Sequence, residues 1–171
     1  KNRIITSTFN QLGLYQGSER LVLFSKTYEG HYKISLNMFK EKPVFGHGVK
    51  MFRFYCSKKE NISQELIDVN ACTTHPHNFY AQFLSETGLI GTIVLLFIFL
   101  IILKEFSINL FHQIKYRKQK LSDEAVCILS VFFITFFPLL PSGNFFNNWL
   151  SIIIYYPLGF IIYLIKYKKY N

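Results

Sequence analysis

The sequence predicts an all-α membrane protein, a polytopic helical bundle with a large extracytoplasmic loop and three carboxy-terminal transmembrane helices. Three observations point there. Half of the 171 residues are hydrophobic and 18% are aromatic. The apolar residues gather in three runs, Gly88–Leu103, Ala125–Leu140 and Trp149–Ile165, and none of them contains Lys, Arg, Asp or Glu. The chain nevertheless carries a formal charge of +9, with many of its cations flanking the runs. Crossing about 30 Å of hydrocarbon takes roughly 20 residues at 1.5 Å each, and each run approaches that length with help from its neighbours. A very hydrophobic soluble bundle is the alternative, but its helices would show a polar face.

Residues 1–20 have no clear period and contain Gly13, Gly17 and Ser18, so they read as loop. Within an amphipathic helix over about 21–42, Tyr28, Tyr32, Leu36 and Phe39 recur at steps of four, four and three. Lys26, Lys33, Lys40 and Lys42 occupy the other faces, a pattern suited to a helix lying on a membrane surface. Pro43 ends it, and Gly46-His47-Gly48 predicts a tight turn. The spans are expected at about 79–103, 125–140 and 149–165. Lys104, Lys115, Arg117, Lys118 and Lys120 fill the loop 104–124, and Lys166, Lys168 and Lys169 the tail 166–171. Positive charge on short loops marks the cytoplasmic side, so 141–148 and the whole of 1–78 face outward. The outer segment is also rich in Lys and Arg, but long translocated segments largely escape the rule. The chain opens KNRIITSTFN, with no initiator Met, and three spans are few to enclose a site in lipid. We therefore expect the carboxy-terminal portion of a longer polytopic protein.

Cys56 and Cys72 both lie in the outer segment with 15 residues between them. In an oxidising compartment they are expected to pair, which a chain-entropy argument values at about 3 kcal/mol. Two free thiols or a metal site are the alternatives. Cys127 reads as a small apolar filler within a span. Asn61-Ile62-Ser63 fits a glycosylation sequon, a pattern too short to carry weight.

The stretch CTTHPHNFYAQFLSETGLIGT, residues 72–92, puts polar groups at the mouth of an apolar helix. A helix starting near Pro76, entered from Thr74 or His75, aligns His77, Ala81, Leu84, Gly88 and Gly91 or Thr92 on one face. Asn78, Gln82 and Glu86 make a polar stripe beside it. The small residues Gly88, Gly91 and Thr92 let a neighbouring helix approach closely. Glu86 stands about 13 Å along the axis from His77, too far to be its partner, and an acid at that depth points to a functional or helix-locking role. His75-Pro76-His77 reads as a proton-transfer group, a structural cap or a metal pair. Apart from Cys72 no further ligand stands at a familiar spacing, so no metal is expected.

His77-Asn78, followed after nine residues by Gly88-Leu89-Ile90-Gly91-Thr92, resembles the signature of the bacterial O-antigen ligase and O-antigen polymerase superfamily. MFKEKPVFGHGVKMFR at 38–53 is similar to the family's stretch leading to the histidine, and PLLPSGNFFNNW at 138–149 to the loop between its late helices. The resemblance covers most of residues 24–165. It implies one O-antigen ligase-related domain in a multi-pass protein of the bacterial inner membrane. The activity implied is transfer or polymerisation of glycan from an undecaprenyl-diphosphate donor, with a growing glycan or lipid A core as acceptor. The family's loop histidine corresponds to His77, its expected catalytic base. Family arginines that hold the diphosphate commonly lie upstream of the Pro-Gly phrase; here His31 and Lys33 stand in that neighbourhood, a departure that leaves the donor position open.

Such a donor brings its own leaving group, so the enzyme must bind negative charge and deprotonate a hydroxyl. Neutral His77 suits the second task. Arg53, Lys50 and Arg20 are candidates for the first. His75, Asn78, Tyr80 and Gln82 are candidates for orienting the sugar, with Asn144 and Asn147 from the opposite loop and Trp149 either stacking on it or anchoring the interface. Direct inversion without metal or other cofactor is expected. The competing class is a transporter or flippase subunit in which His77 and Glu86 relay protons. The basic charge is dispersed and no recognition motif accompanies it, so nucleic acid is excluded as a partner.

Overall fold

A computed structural model describes residues 25–58 and 60–167. Its described residues form helices and connecting turns, without a strand. We number the helices α1 (Lys26–Glu41), α2 (Phe52–Tyr55), α3 (Gln64–Asp68), α4 (Phe79–Glu86), α5 (Gly88–Tyr116), α6 (Asp123–Thr135) and α7 (Asn148–Tyr167). The residues 1–20 read as loop, and Arg20 with them, lie outside the described part.

Two apolar cores divide the molecule. In the first, Ile34 and Met38 of α1 meet Phe52, Cys56, Leu66 and Ala71. In the second, Phe79 joins Leu95, Phe99 and Ile102 of α5, Phe132 and Phe136 around the end of α6, and Ile154 of α7. The first core packs a small loop domain onto α4, and the second is the centre of the carboxy-terminal helices.

Helix α1 starts at Ser25, whose hydroxyl accepts from the Tyr28 N–H, and stops before Pro43. It buries Gly30, His31, Ile34, Ser35 and Met38. The aromatic stripe apparent in the sequence is a different face: Tyr28, Tyr32 and Phe39 are half-buried and Leu36 is exposed. Small residues decide which face turns inward. At Gly30 an added Cβ would fall 2.6 Å from the Ala71 Cβ, so α1 lies almost on the backbone of the loop before the histidines.

The helix expected as one unit over 79–103 is two. Asn78 caps α4, its side-chain oxygen accepting from the Tyr80 and Ala81 N–H groups. The helix therefore begins at Phe79 and not at Pro76, and His77 lies before it with φ of 53°. The expected face joining His77 to Ala81 and Gly88 accordingly does not form. Gly88, at φ +65°, separates α4 from α5. A Cβ there would sit 2.5 Å from the Val44 carbonyl oxygen, and one on Gly46, at φ +66°, would sit 2.4 Å from the Glu86 carbonyl carbon. Two glycines thus allow loop and helix backbones to touch.

Helix α5 is 29 residues long, about 44 Å, and is the one helix among the described residues long and apolar enough to cross a membrane. It runs through Tyr116 and so absorbs more than half of the connection expected over 104–124; Arg117, at φ 56°, ends it. The Asn109 side-chain oxygen accepts from the Lys120 and Leu121 N–H groups and fixes the return. Helix α6 has 13 residues, about 20 Å; it starts ahead of the apolar run Ala125–Leu140 and stops before that run ends. Pro138 bars its continuation, and residues 136–147 fold back irregularly toward α4. Helix α7 spans 20 residues with Pro157 inside it.

Candidate functional site

The loop before α4 brings three imidazoles together. His75 and His77 have ring centroids 4.1 Å apart, and His31 of α1 lies 5.2 Å from His77. Tyr28 stands edge-on to both His31 and His77 at 6.0 Å. His31 is 46 residues upstream of His77; the fold unites them because Gly30 permits α1 to rest on Ala71.

The chemistry of each ring follows from its surroundings. The His31 Nδ1–H donates to the Ala71 carbonyl at 2.6 Å, because a carbonyl can only accept. Its neutral tautomer therefore leaves Nε2 with the lone pair. Burial, outweighing that bond, and the neighbouring His77 lower the His31 pKa. His75 shares a hydrogen bond with the Thr74 hydroxyl at 3.0 Å, and its Nε2 is buried without a protein partner among the described residues. Burial first, then His77, His31 and Arg53, pull its pKa down to about 4. His77 is lowered as well, by burial. The cluster thus stays neutral near pH 7, with imidazole nitrogens able to take up protons.

Backbone contacts hold His77. Its carbonyl accepts from the Ser142 N–H at 2.9 Å, which joins the cluster to the α6–α7 connection. A left-handed backbone at a non-glycine residue is uncommon and costs roughly 1–3 kcal/mol, so the surrounding structure must impose it. Asn78 supplies much of that constraint. Its side-chain N–H groups donate to Pro138 and Leu140 carbonyls at 2.7 and 3.3 Å while its oxygen caps α4.

A second network supports the first. Glu86, with no exposed surface, accepts from the Lys50 and Phe52 N–H groups, each at 3.0 Å, and from Gln82 at 3.1 Å. Gln82 also donates to Asn144 at 2.8 Å and accepts from the Phe145 N–H at 2.9 Å. Asn144 further accepts from the Phe146 N–H. The carboxylate and amides thereby tie the start of α2, α4 and the α6–α7 connection into one frame. Arg53, exposed on α2, lies within electrostatic range of His75 and Glu86.

The sequence-derived candidates therefore separate. His75, His77 and Arg53 come together. Lys50 is exposed on the same loop, held by its backbone at φ 63°. Asn78, Tyr80, Gln82 and Asn144 direct their polar groups into the frame, the Tyr80 hydroxyl donating to the Phe136 carbonyl at 2.7 Å. In this fold the polar groups of all four bond to the protein itself. Asn147 is exposed and accepts from the Trp149 N–H. Glu86 locks the loop, Gly88 makes the joint, and the Thr92 hydroxyl donates to the Gly88 carbonyl at 2.7 Å. An added Cβ at Gly91 would strike the side chain of Thr87, which precedes α5, so its small size serves that turn. Cys56 and Cys72 are joined by a disulfide with Cα atoms 5.3 Å apart, one residue beyond Ala71. Cys127 is free and exposed. Among the described residues no group of three or more His, Cys, Asp or Glu is placed to hold a metal ion. His31 is the residue sequence reasoning did not place in the site; its step of three from Tyr28 on α1 was the available signal.

The described residues are thus helical, with one helix long and apolar enough to cross a membrane and a cluster of imidazoles at its approach. Residues 26–96 match the family model described as O-antigen ligase. This segment, which holds α1 to α4, the start of α5 and every imidazole of the cluster, is similar to the O-antigen ligase family. No curated protein and no solved structure matches the chain.

Proposed function

We propose that the chain is the site-bearing part of a membrane glycosyltransferase that uses an undecaprenyl-diphosphate-linked glycan at the outer face of the bacterial cytoplasmic membrane. The observation that carries the reading is the neutral cluster of His31, His75 and His77 beside the cation of Arg53, inside the segment that matches the family. His77 is the base. Its carbonyl and the Asn78 frame fix its place, and it is the least buried of the three rings. An acceptor hydroxyl loses its proton to the imidazole as its oxygen attacks the anomeric carbon. The bond from that carbon to the diphosphate oxygen breaks, and the lipid diphosphate leaves with the electron pair. One displacement without a covalent intermediate inverts the anomeric centre. Arg53 and Lys50 balance the charge of the leaving diphosphate, Arg through two parallel N–H donors. No step of this scheme calls for a metal or other cofactor.

In this reading α5, α6 and α7 are three spans, with 104–124 and 166–171 on the cytoplasmic side and 1–78 outside, and further helices complete the enclosure. A transporter that relays protons through His77 and Glu86 fits less well. Glu86 is fully buried, already bonded to two amides and Gln82, and set in a static joint.

Incubating the purified full-length protein with lipid-linked oligosaccharide, alone and with lipid A core, tests the class and separates ligase from polymerase. Longer lipid-linked chains identify a polymerase, and glycan on the core a ligase. Absence of both products under conditions where the protein is folded would refute the transferase reading.

A further inference from the structure

The turn that meets α5 carries apolar side chains that neither core uses. Phe45 is 75% exposed and Phe54 is 64% exposed, with Val44 and Val49 also exposed. Soluble surfaces scatter such residues singly, whereas four within eleven positions of one turn and short helix form a patch. The patch has a fixed place. The Leu89 N–H donates to the Pro43 carbonyl at 2.8 Å and the Ile90 N–H to the Val44 carbonyl at 3.4 Å. These are first-turn donors of α5 with no partner inside the helix, and in a low-dielectric setting they need one. From the other strand of the joint, the His47 and Gly48 N–H groups donate to the Ser85 and Glu86 carbonyls. Val44 and Phe45 are thereby stitched to the end of α5 where Leu89, Ile90 and Ile93 are themselves exposed. The apolar surface of the helix continues onto the loop. In and next to this stretch of sequence stand exposed Lys40, Lys42, Lys50 and Arg53, against the one acid Glu41, which faces His47.

We propose that residues 44–54 dip into the membrane interface at the Gly88 end of α5, with Phe45 and Phe54 among the acyl chains and the four cations at the headgroups. The occupant of the patch is lipid. Continuity with the apolar span and a basic rim facing anionic headgroups both specify it, since long cationic side chains place their stems along apolar surface and their charge in the polar layer. The consequence for the site is direct. Arg53 belongs to the same short helix as Phe54, so anchoring that helix in lipid holds the cation at the depth where a lipid-borne diphosphate lies.

The inference rests on α5 being a span but not on the transferase chemistry. Full-length protein carrying Cys127→Ser and a single new cysteine, labelled with an environment-sensitive fluorophore, is reconstituted in phosphatidylethanolamine and phosphatidylglycerol vesicles. Labels at Phe45→Cys and Val49→Cys are compared with Asp68→Cys on exposed α3 and Ile98→Cys within α5. The expected result is blue-shifted emission at 45 and 49, most of it lost to nitroxide-bearing lipid and little of it to iodide, while the label at 68 behaves oppositely. Quenching at 45 and 49 by iodide, with the label at 98 quenched by lipid, overturns the proposal and leaves the span intact. Protection from both quenchers also overturns it, since protein would then cover the patch. Iodide quenching at 98 overturns the span as well.

Discussion

Glu86→Ala should release the loop that carries Arg53 while leaving the rest of the fold in place. The substitution deletes the acceptor for the Lys50 and Phe52 N–H groups, both held at 3.0 Å, the second in a residue with no exposed surface. Gln82 keeps Asn144 as an acceptor, so it is not orphaned. The buried Phe52 donor left without a partner costs about 1–3 kcal/mol, while the Lys50 donor, in an exposed residue, can turn to water, so the attachment of residues 49–55 weakens by about 1–3 kcal/mol. The backbone bonds from His47 and Gly48 to Ser85 and Glu86 survive and limit the opening to that stretch. At about 1.4 kcal/mol per factor of ten, even the lower figure speeds amide exchange there by about 5-fold. Hydrogen–deuterium exchange of the purified protein, resolved by peptide, reads this directly. Exchange should rise over 49–55 and stay unchanged over α5, with Glu86→Gln, which keeps one acceptor oxygen, in between. Exchange over 49–55 indistinguishable from the unaltered protein in the Ala variant would refute the claim that Glu86 locks this joint.

The remaining predictions address the cluster and its supports. Because burial lowers the His77 pKa from its ordinary 6.5, the acid limb of the transfer rate should have its midpoint below that value, with the plateau on the alkaline side; a midpoint above it would contradict the base assignment. His75 is depressed to about 4, so the unfolded chain binds a proton that the folded one refuses between about pH 6.5 and 4. Stability should therefore fall as pH drops through that window and fall less in His75→Gln, as followed by thermal unfolding in detergent. Opening the Cys56–Cys72 bridge with reductant should cost about 3 kcal/mol and speed proteolysis within 57–71, seen on gels. Gly46→Ala combines a left-handed backbone with a Cβ 2.4 Å from the Glu86 carbonyl carbon, and a loss of about 2–5 kcal/mol should show as a lowered Tm.

Much of the molecule could be read from composition and punctuation. The apolar runs announced the carboxy-terminal helices, Pro43 ended α1 where expected, and Gly46-His47-Gly48 formed its turn. Boundaries failed where a local hydrogen bond outweighed periodicity. Asn78 captured two amides and started α4 three residues late, and Gly88 broke a run that looked continuous because its partner, Val44, is 44 positions away. The face of α1 that meets the protein was not legible for a related reason. Large aromatic residues dominate a periodicity, but Gly30 and Ser35 mark where the backbone comes close, and that contact carried His31 into the site. Asn78, Gln82 and Asn144 read as sugar-binding candidates, and their bonds to the protein's own backbone and amides were not legible, because sequence cannot show which groups a side-chain amide meets in the fold.

The account's central claim is that His77 takes the proton from the acceptor. Single-turnover transfer by the full-length protein in proteoliposomes, with lipid-linked glycan prebound, tests it most directly when His77→Gln is compared with the unaltered enzyme. A general base contributes roughly 10²–10⁴-fold, so the rate should fall by at least about 100-fold while donor binding and vesicle insertion persist. A near-normal rate in an inserted, donor-binding His77→Gln protein would contradict it.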